Sequence, residues 1–180
     1  MTIREILTDI TGVGNKDKLL RWHDASRFKN EVMPILPSPI EVIELPPGQQ
    51  FQFNCFTFAL ELRCISAETP FTDGFIYSPF VEKLIAEKAI TKLNRPPAEG
   101  DVVFYWNGVE LKHAGKISRN DMIISKWSGG PILKHPLLYV PVDYGEKNEY
   151  YEGISEKRAK QLFFQHTTLK WLSARQTKFG

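Results

Sequence analysis

Apolar and charged positions alternate at roughly helical spacing over residues 2–11 and 16–32, separated by Gly12-Val13-Gly14-Asn15, and predict two short amphipathic helical segments. Pro34, Pro37, Pro39, Pro46 and Pro47 then forbid regular helix, leaving extended chain with an edge strand over Ile40 to Leu45. From Cys55 to about Ile65, Phe56, Ala59, Leu60 and Leu62 fit a buried helix with Asn54 as its N-cap, so Cys55 falls in its first turn. Ser78-Pro79 reads as a cap followed by proline at the first helical position, opening a helix to about Ala89 with Phe80, Leu84 and Ile85 toward the core.

After Pro96-Pro97 the period changes. Val102–Trp106, Leu111–Ile117 and Met122–Trp127 have strand character and are joined by Asn107-Gly108 and Arg119-Asn120-Asp121, which predicts an antiparallel meander. Gly129-Gly130-Pro131 breaks this pattern, and Pro136 and Pro141 punctuate a loop-rich stretch with one more edge strand near Leu137–Val140. Ser155 caps a C-terminal helix whose apolar side is Leu162, Phe163, Leu169 and Leu172. The expected class is α+β, with a central antiparallel sheet and extra helices at both termini.

Length and composition narrow this further. A chain of 180 residues suits one domain over 1–180, with helical decoration over 1–47 and the C-terminal helix over 150–175. The 42% apolar and 24% charged content is that of a soluble globular protein, and a net charge of +2 with scattered basic residues argues against a nucleic-acid partner. No apolar run approaches the ~20 residues of a membrane span, and the first residues lack the pattern of a secretory signal, so the expected location is cytoplasmic. In that compartment Cys55 and Cys64 are expected as thiols. Their spacing places them on opposite faces of a helix, which excludes an intrahelical bridge. No paired-ligand spacing supports a metal site, and no cofactor is expected.

The residues that could carry chemistry are a thiol at a helix start and His113 in a later strand, beside the small residues Ala114 and Gly115. A helix N-terminus and a neighbouring imidazole lower a thiol pKa from about 8.5 toward 3.5–7.5, which is what a sulfur nucleophile needs. In order along the chain, Asn54-Cys55-Phe56-Thr57-Phe58-Ala59, Gly100-Asp101-Val102-Val103-Phe104 and His113-Ala114-Gly115-Lys116-Ile117 resemble the papain-like amidases and peptidases of the CHAP and NlpC type. The resemblance covers roughly residues 48–128.

It implies a papain-like core over 48–145 with the nucleophile helix packed on the sheet, Cys55 as nucleophile, His113 as general base and later acid, and Ser125 orienting the imidazole. The family usually has His, Asn, Asp, Gln or Glu at that third position, and His135 and Asp143 are the alternatives. The Cys55 backbone N–H, or a side-chain amide of Gln49, Gln50 or Gln52, would serve the oxyanion. A circularly permuted arrangement would use His23 instead, although its segment is helical. The implied activity is hydrolysis of an amide bond in a peptide or peptidoglycan-like substrate through a thioester. An inert binding module on the same fold and an acyltransferase using the same pair are the alternatives.

Overall fold

The computed structural model describes residues 1–12, 16–46, 53–63 and 75–176. Its centre is a six-stranded antiparallel sheet of β1 (Glu41–Glu44), β2 (Val102–Asn107), β3 (Glu110–Ile117), β4 (Met122–Lys126), β5 (Ile132–Pro136) and β6 (Lys147–Tyr151), in the order β1-β5-β4-β3-β2-β6. The class is α+β, as the periodicity predicts. The β2-β3-β4 meander forms where the turn residues place it, and β1 is an edge strand.

Two strands differ from expectation. The segment Gly129-Gly130-Pro131 is a hairpin turn, entered at Ser128 with φ 54°, so the next strand starts at Ile132 rather than Leu137 and lies inside the sheet between β1 and β4. Gly130 is required there because a Cβ would collide with the Trp22 indole. The other difference is β6, which closes the far edge of the sheet against β2. Its sequence, Lys-Asn-Glu-Tyr-Tyr, buries only Tyr151 and so carries no apolar alternation.

Because successive side chains of a strand point to opposite faces, the sheet separates two apolar layers. On one face Val102, Phe104 and Ala114 pack against the helix α4 (Cys55–Ala59), with α5 (Ser78–Ala86) and α6 (Glu156–Gln176) adding Val81, Leu84, Leu162 and Phe163. On the other, Val103, Tyr105, Ile123, Trp127 and Leu133 pack against Leu7 and Ile10 of α1 (Ile3–Thr11), Trp22 of α2 (Lys16–His23) and Phe28. The N-terminal helices therefore cover half of the sheet and are part of the core.

Two helices differ in their ends. The helix α4 stops after Ala59, short of Ile65, because Glu61 turns left-handed at φ 57°, Leu62 N–H bonds Thr57 C=O at 2.9 Å and Glu61 N–H bonds Phe58 C=O at 3.2 Å. This is the paired-bond C-terminal motif usually built on glycine. For α5 the capping position is Tyr77, one residue earlier than expected, and Ser78 is the first helical residue. At α6, Ser155 Oγ accepts the Arg158 N–H at 3.4 Å. Among the described residues no helix is long and apolar enough to cross a membrane.

Candidate active site

Asn54 fixes the start of α4. Its Oδ1 accepts the Thr57 N–H and the Thr57 hydroxyl, both at 3.0 Å, while its amide nitrogen donates to Ile76 C=O at 2.6 Å. This cap satisfies an orphan helical donor and sets Cys55 as the first helical residue, as the sequence predicts. Cys55 is buried, and backbone N–H groups of Ala114, Phe56 and Cys55 itself lie around the sulfur. Ala114 can offer its N–H because the β3–β4 ladder is registered only at Lys116–Ile124 and Ile117–Ile123.

The surroundings pull the thiol in two directions. Burial pushes its pKa up, to about 12, and the three backbone donors oppose that rise without cancelling it. His113 is also fully buried, and burial, with His135 as the second cause, holds its pKa well below that of a free imidazole. In this state the pair is a neutral thiol and a neutral ring.

His113 adjoins the donor of the sulfur's hydrogen bond, but its side chain leaves β3 on the face opposite Ala114. There it lies 5.3 Å from the Tyr105 ring and stacks on Tyr144 at 4.0 Å between centroids and 19° between planes. Neither ring nitrogen has a hydrogen-bond partner among the described residues, so no bond joins it to Cys55. A fully buried imidazole with both nitrogens idle departs from the rule that buried polar groups are paired.

Ser125 and His135 face the same layer and satisfy each other. The Trp127 indole can only donate and does so to Ser125 Oγ at 2.9 Å. The Pro136 carbonyl can only accept, so His135 Nδ1–H donates to it at 2.8 Å, and the Nε2 of the neutral ring accepts from the Ser125 hydroxyl at 2.8 Å. Burial drops the His135 pKa to about 4. The structure thus engages Ser125 with His135, not with His113: the β4–β5 register pairs His135 with Ile123, and Ser125, two residues further along β4, is its diagonal neighbour on the same face. Asp143 is exposed in the turn that carries Tyr144.

The remaining sequence candidates take other places. Asp101 of the Gly100-Asp101-Val102 motif clamps the entry to β2, binding Arg95 through two bonds of 2.6 and 2.9 Å and the Ala98 N–H at 2.7 Å. Gly115 does not leave open space beside the histidine, since Ile123 and Ser125 side chains fill the position of its missing Cβ. His23 sits on α2 against Gly129, on the layer opposite α4. Cys64, Gln49, Gln50 and Gln52 lie outside the described residues. No group of three His, Cys, Asp or Glu side chains among the described residues could hold a metal.

The residue that the sequence did not single out is Tyr144. It stacks on His113, meets Trp127 edge-on at 5.8 Å, and is near enough to Cys55 for the two groups to interact electrostatically. Burial pushes its phenol pKa upward. Beside it opens a cleft of about 420 Å³ lined by Thr11, Trp22, Lys112, Ser128 and Asp143 among others, within the size range of small-molecule sites. Comparison with protein-family models, with curated proteins and with solved structures finds no match to this chain.

Proposed function

We propose that the protein is a papain-like cysteine hydrolase that cleaves an amide bond through a thioester, with Cys55 as nucleophile and His113 as base. Two observations support this reading: a helix-start thiol ringed by three backbone N–H groups, one of them from Ala114, and at the adjacent position His113 a buried imidazole neither of whose nitrogens has a hydrogen-bond partner among the described residues. His113 takes the thiol proton as the sulfur attacks the carbonyl carbon, then returns it to the departing amine. Water, deprotonated by the same ring, releases the acid and restores the thiol. The backbone donors around the sulfur supply the positive end of an oxyanion site. Peptide and peptidoglycan-type amides are the substrates to try first, on the resemblance alone.

The neutral resting pair defines the kind of catalysis. With the thiol raised and the imidazole lowered, proton transfer accompanies attack instead of preceding it, and activity requires a rearrangement that brings sulfur and ring together. Hydrolysis of a peptide-amide mixture, read by mass spectrometry for wild type and Cys55→Ala, tests the proposal. Loss of cleavage in the variant is expected, and full retention would end it. Added amine nucleophiles would divert product to new amides if the pair transfers acyl groups instead.

The second reading, a binding module without turnover, is favoured by one observation, the burial that pushes the Cys55 thiol up to about 12. Alkylation by iodoacetamide separates the two. A pH profile governed by a thiol near 12, with and without candidate substrates, favours the module.

A further inference from the structure

We propose that Pro141–Gly145 is a lid over the Cys55–His113 pair, with Tyr144 as the stopper and Arg4 of α1 as the latch. Its functional consequence rests on the hydrolase reading, whereas the lid itself rests on contacts. Tyr144 lies flat on His113, and His113 and Cys55 are 1% and 6% exposed. No substrate carbonyl reaches either group in this state. The cleft beside Tyr144 leads to the outer side of the stopper and gives an entering chain a place to dock before the ring moves.

The lid is held by polar contacts at both ends. The Arg4 guanidinium donates to the carbonyls of Val140 and Pro141, each at 3.3 Å, of Val142 at 3.1 Å and of Gly145 at 2.7 Å, and pairs with Glu146 at 3.0 Å. The Val142 N–H donates to Thr8 Oγ1 at 2.9 Å, one turn further along the same helix. Gly145 adopts φ +90° and abuts the Trp106 carbonyl of β2, where a Cβ would collide, so this end of the lid closes only on glycine.

Apolar contact in the middle of the segment rests on Tyr144, which packs against His113 and Trp127. Val142 is 43% exposed and Asp143 points to solvent. A segment held by hydrogen bonds to two side chains of α1 and by one stacked ring belongs to the less stable part of a fold, where moving parts are drawn from. One guanidinium serves four carbonyls over Val140–Gly145, so its loss removes most of these ties at once.

The test uses the full chain with three variants, Arg4→Met, Tyr144→Ala and Tyr144→Phe. Two signals are read: hydrogen exchange of the amides at 142–146, and the iodoacetamide alkylation rate of Cys55 followed by peptide mapping. Arg4→Met is expected to speed exchange of those amides, and alkylation with them, by at least about tenfold. Tyr144→Ala should speed alkylation to a similar degree, and Tyr144→Phe, which keeps the stacked ring, should match wild type. Wild-type alkylation rates in both Arg4→Met and Tyr144→Ala, with native circular dichroism, would overturn the lid. If Arg4→Met does not fold, the Tyr144 pair decides alone, because only a stopper role predicts that Ala opens and Phe does not. Neither signal needs turnover. Opened variants that alkylate faster yet hydrolyse nothing would leave the lid standing and remove the hydrolase, and the reverse pattern would remove the lid.

Discussion

Two histidines are buried on one face of the sheet, and their surroundings differ in the way that separates a structural ring from a reactive one. His135 on β5 has both nitrogens bonded, inside a chain running from Trp127 through Ser125 to the Pro136 carbonyl. His113 on β3 has neither bonded among the described residues and lies against the Tyr105 and Tyr144 rings. Both are held neutral by burial. A satisfied ring stabilises the fold that encloses it, whereas an unsatisfied one weakens that fold and persists where function requires it.

The largest effect expected from this contrast is on catalysis. His113→Leu should lower amide hydrolysis by about 10²–10⁴-fold while leaving the urea midpoint unchanged or higher, because it removes two unpaired buried nitrogens. A variant that hydrolyses normally, or one that unfolds, would erase the distinction. Trp127→Ala removes the ring that meets His135 directly and meets Tyr144, the ring stacked on His113, edge-on. It should cost about 3–5 kcal/mol of unfolding free energy, and it leaves Ser125 without its donor.

His135→Leu strikes the satisfied ring. It should cost about 1–3 kcal/mol, since the Ser125 hydroxyl loses its acceptor inside the core, and so should exceed the stability cost of His113→Leu in the same denaturant series. The pH dependence carries the same signature. Both rings have folded pKa values below the unfolded value near 6.5, so below that pH the unfolded chain binds protons that the folded chain refuses. Stability therefore falls as pH drops from about 6.5, through about 4 for His135, and His113, also held well below the free imidazole by burial, adds to the fall in the same direction. Each ring contributes a slope of up to about 1.4 kcal/mol per pH unit. Denaturant midpoints between pH 7 and 4 check this, and removing either ring should flatten the curve.

The smallest effect concerns α4. Asn54→Ala should cost about 1 kcal/mol through the lost cap. It should also slow any Cys55-dependent hydrolysis, since the cap sets the position of the sulfur relative to the amides around it.

What the sequence could and could not convey follows from distance along the chain. Asn54 capping α4 and the two meander turns are local and were legible in a few residues. The strand at Ile132–Pro136 is masked by the Gly-Gly-Pro turn before it, whose sequence is that of a break and whose tight path depends on the distant Trp22 filling the space above Gly130. The Ser125–His135 bond depends on the β4–β5 register, which no short window contains. Tyr144 on His113 joins positions 31 residues apart through a segment without regular periodicity, and nothing in composition points to it. Of the proposed site, the residue types were readable and the partners were not.

The most direct measurement is intact-protein mass spectrometry after brief exposure to a peptide amide or activated ester, with peptide mapping to locate any adduct. The account predicts an acyl group on Cys55 that decays with hydrolysis, that is absent in Cys55→Ala, and that persists longer in His113→Leu when formed from the ester. Hydrolysis of the same peptide at the wild-type rate by Cys55→Ala, with no acyl group on Cys55 of the wild type, would contradict it.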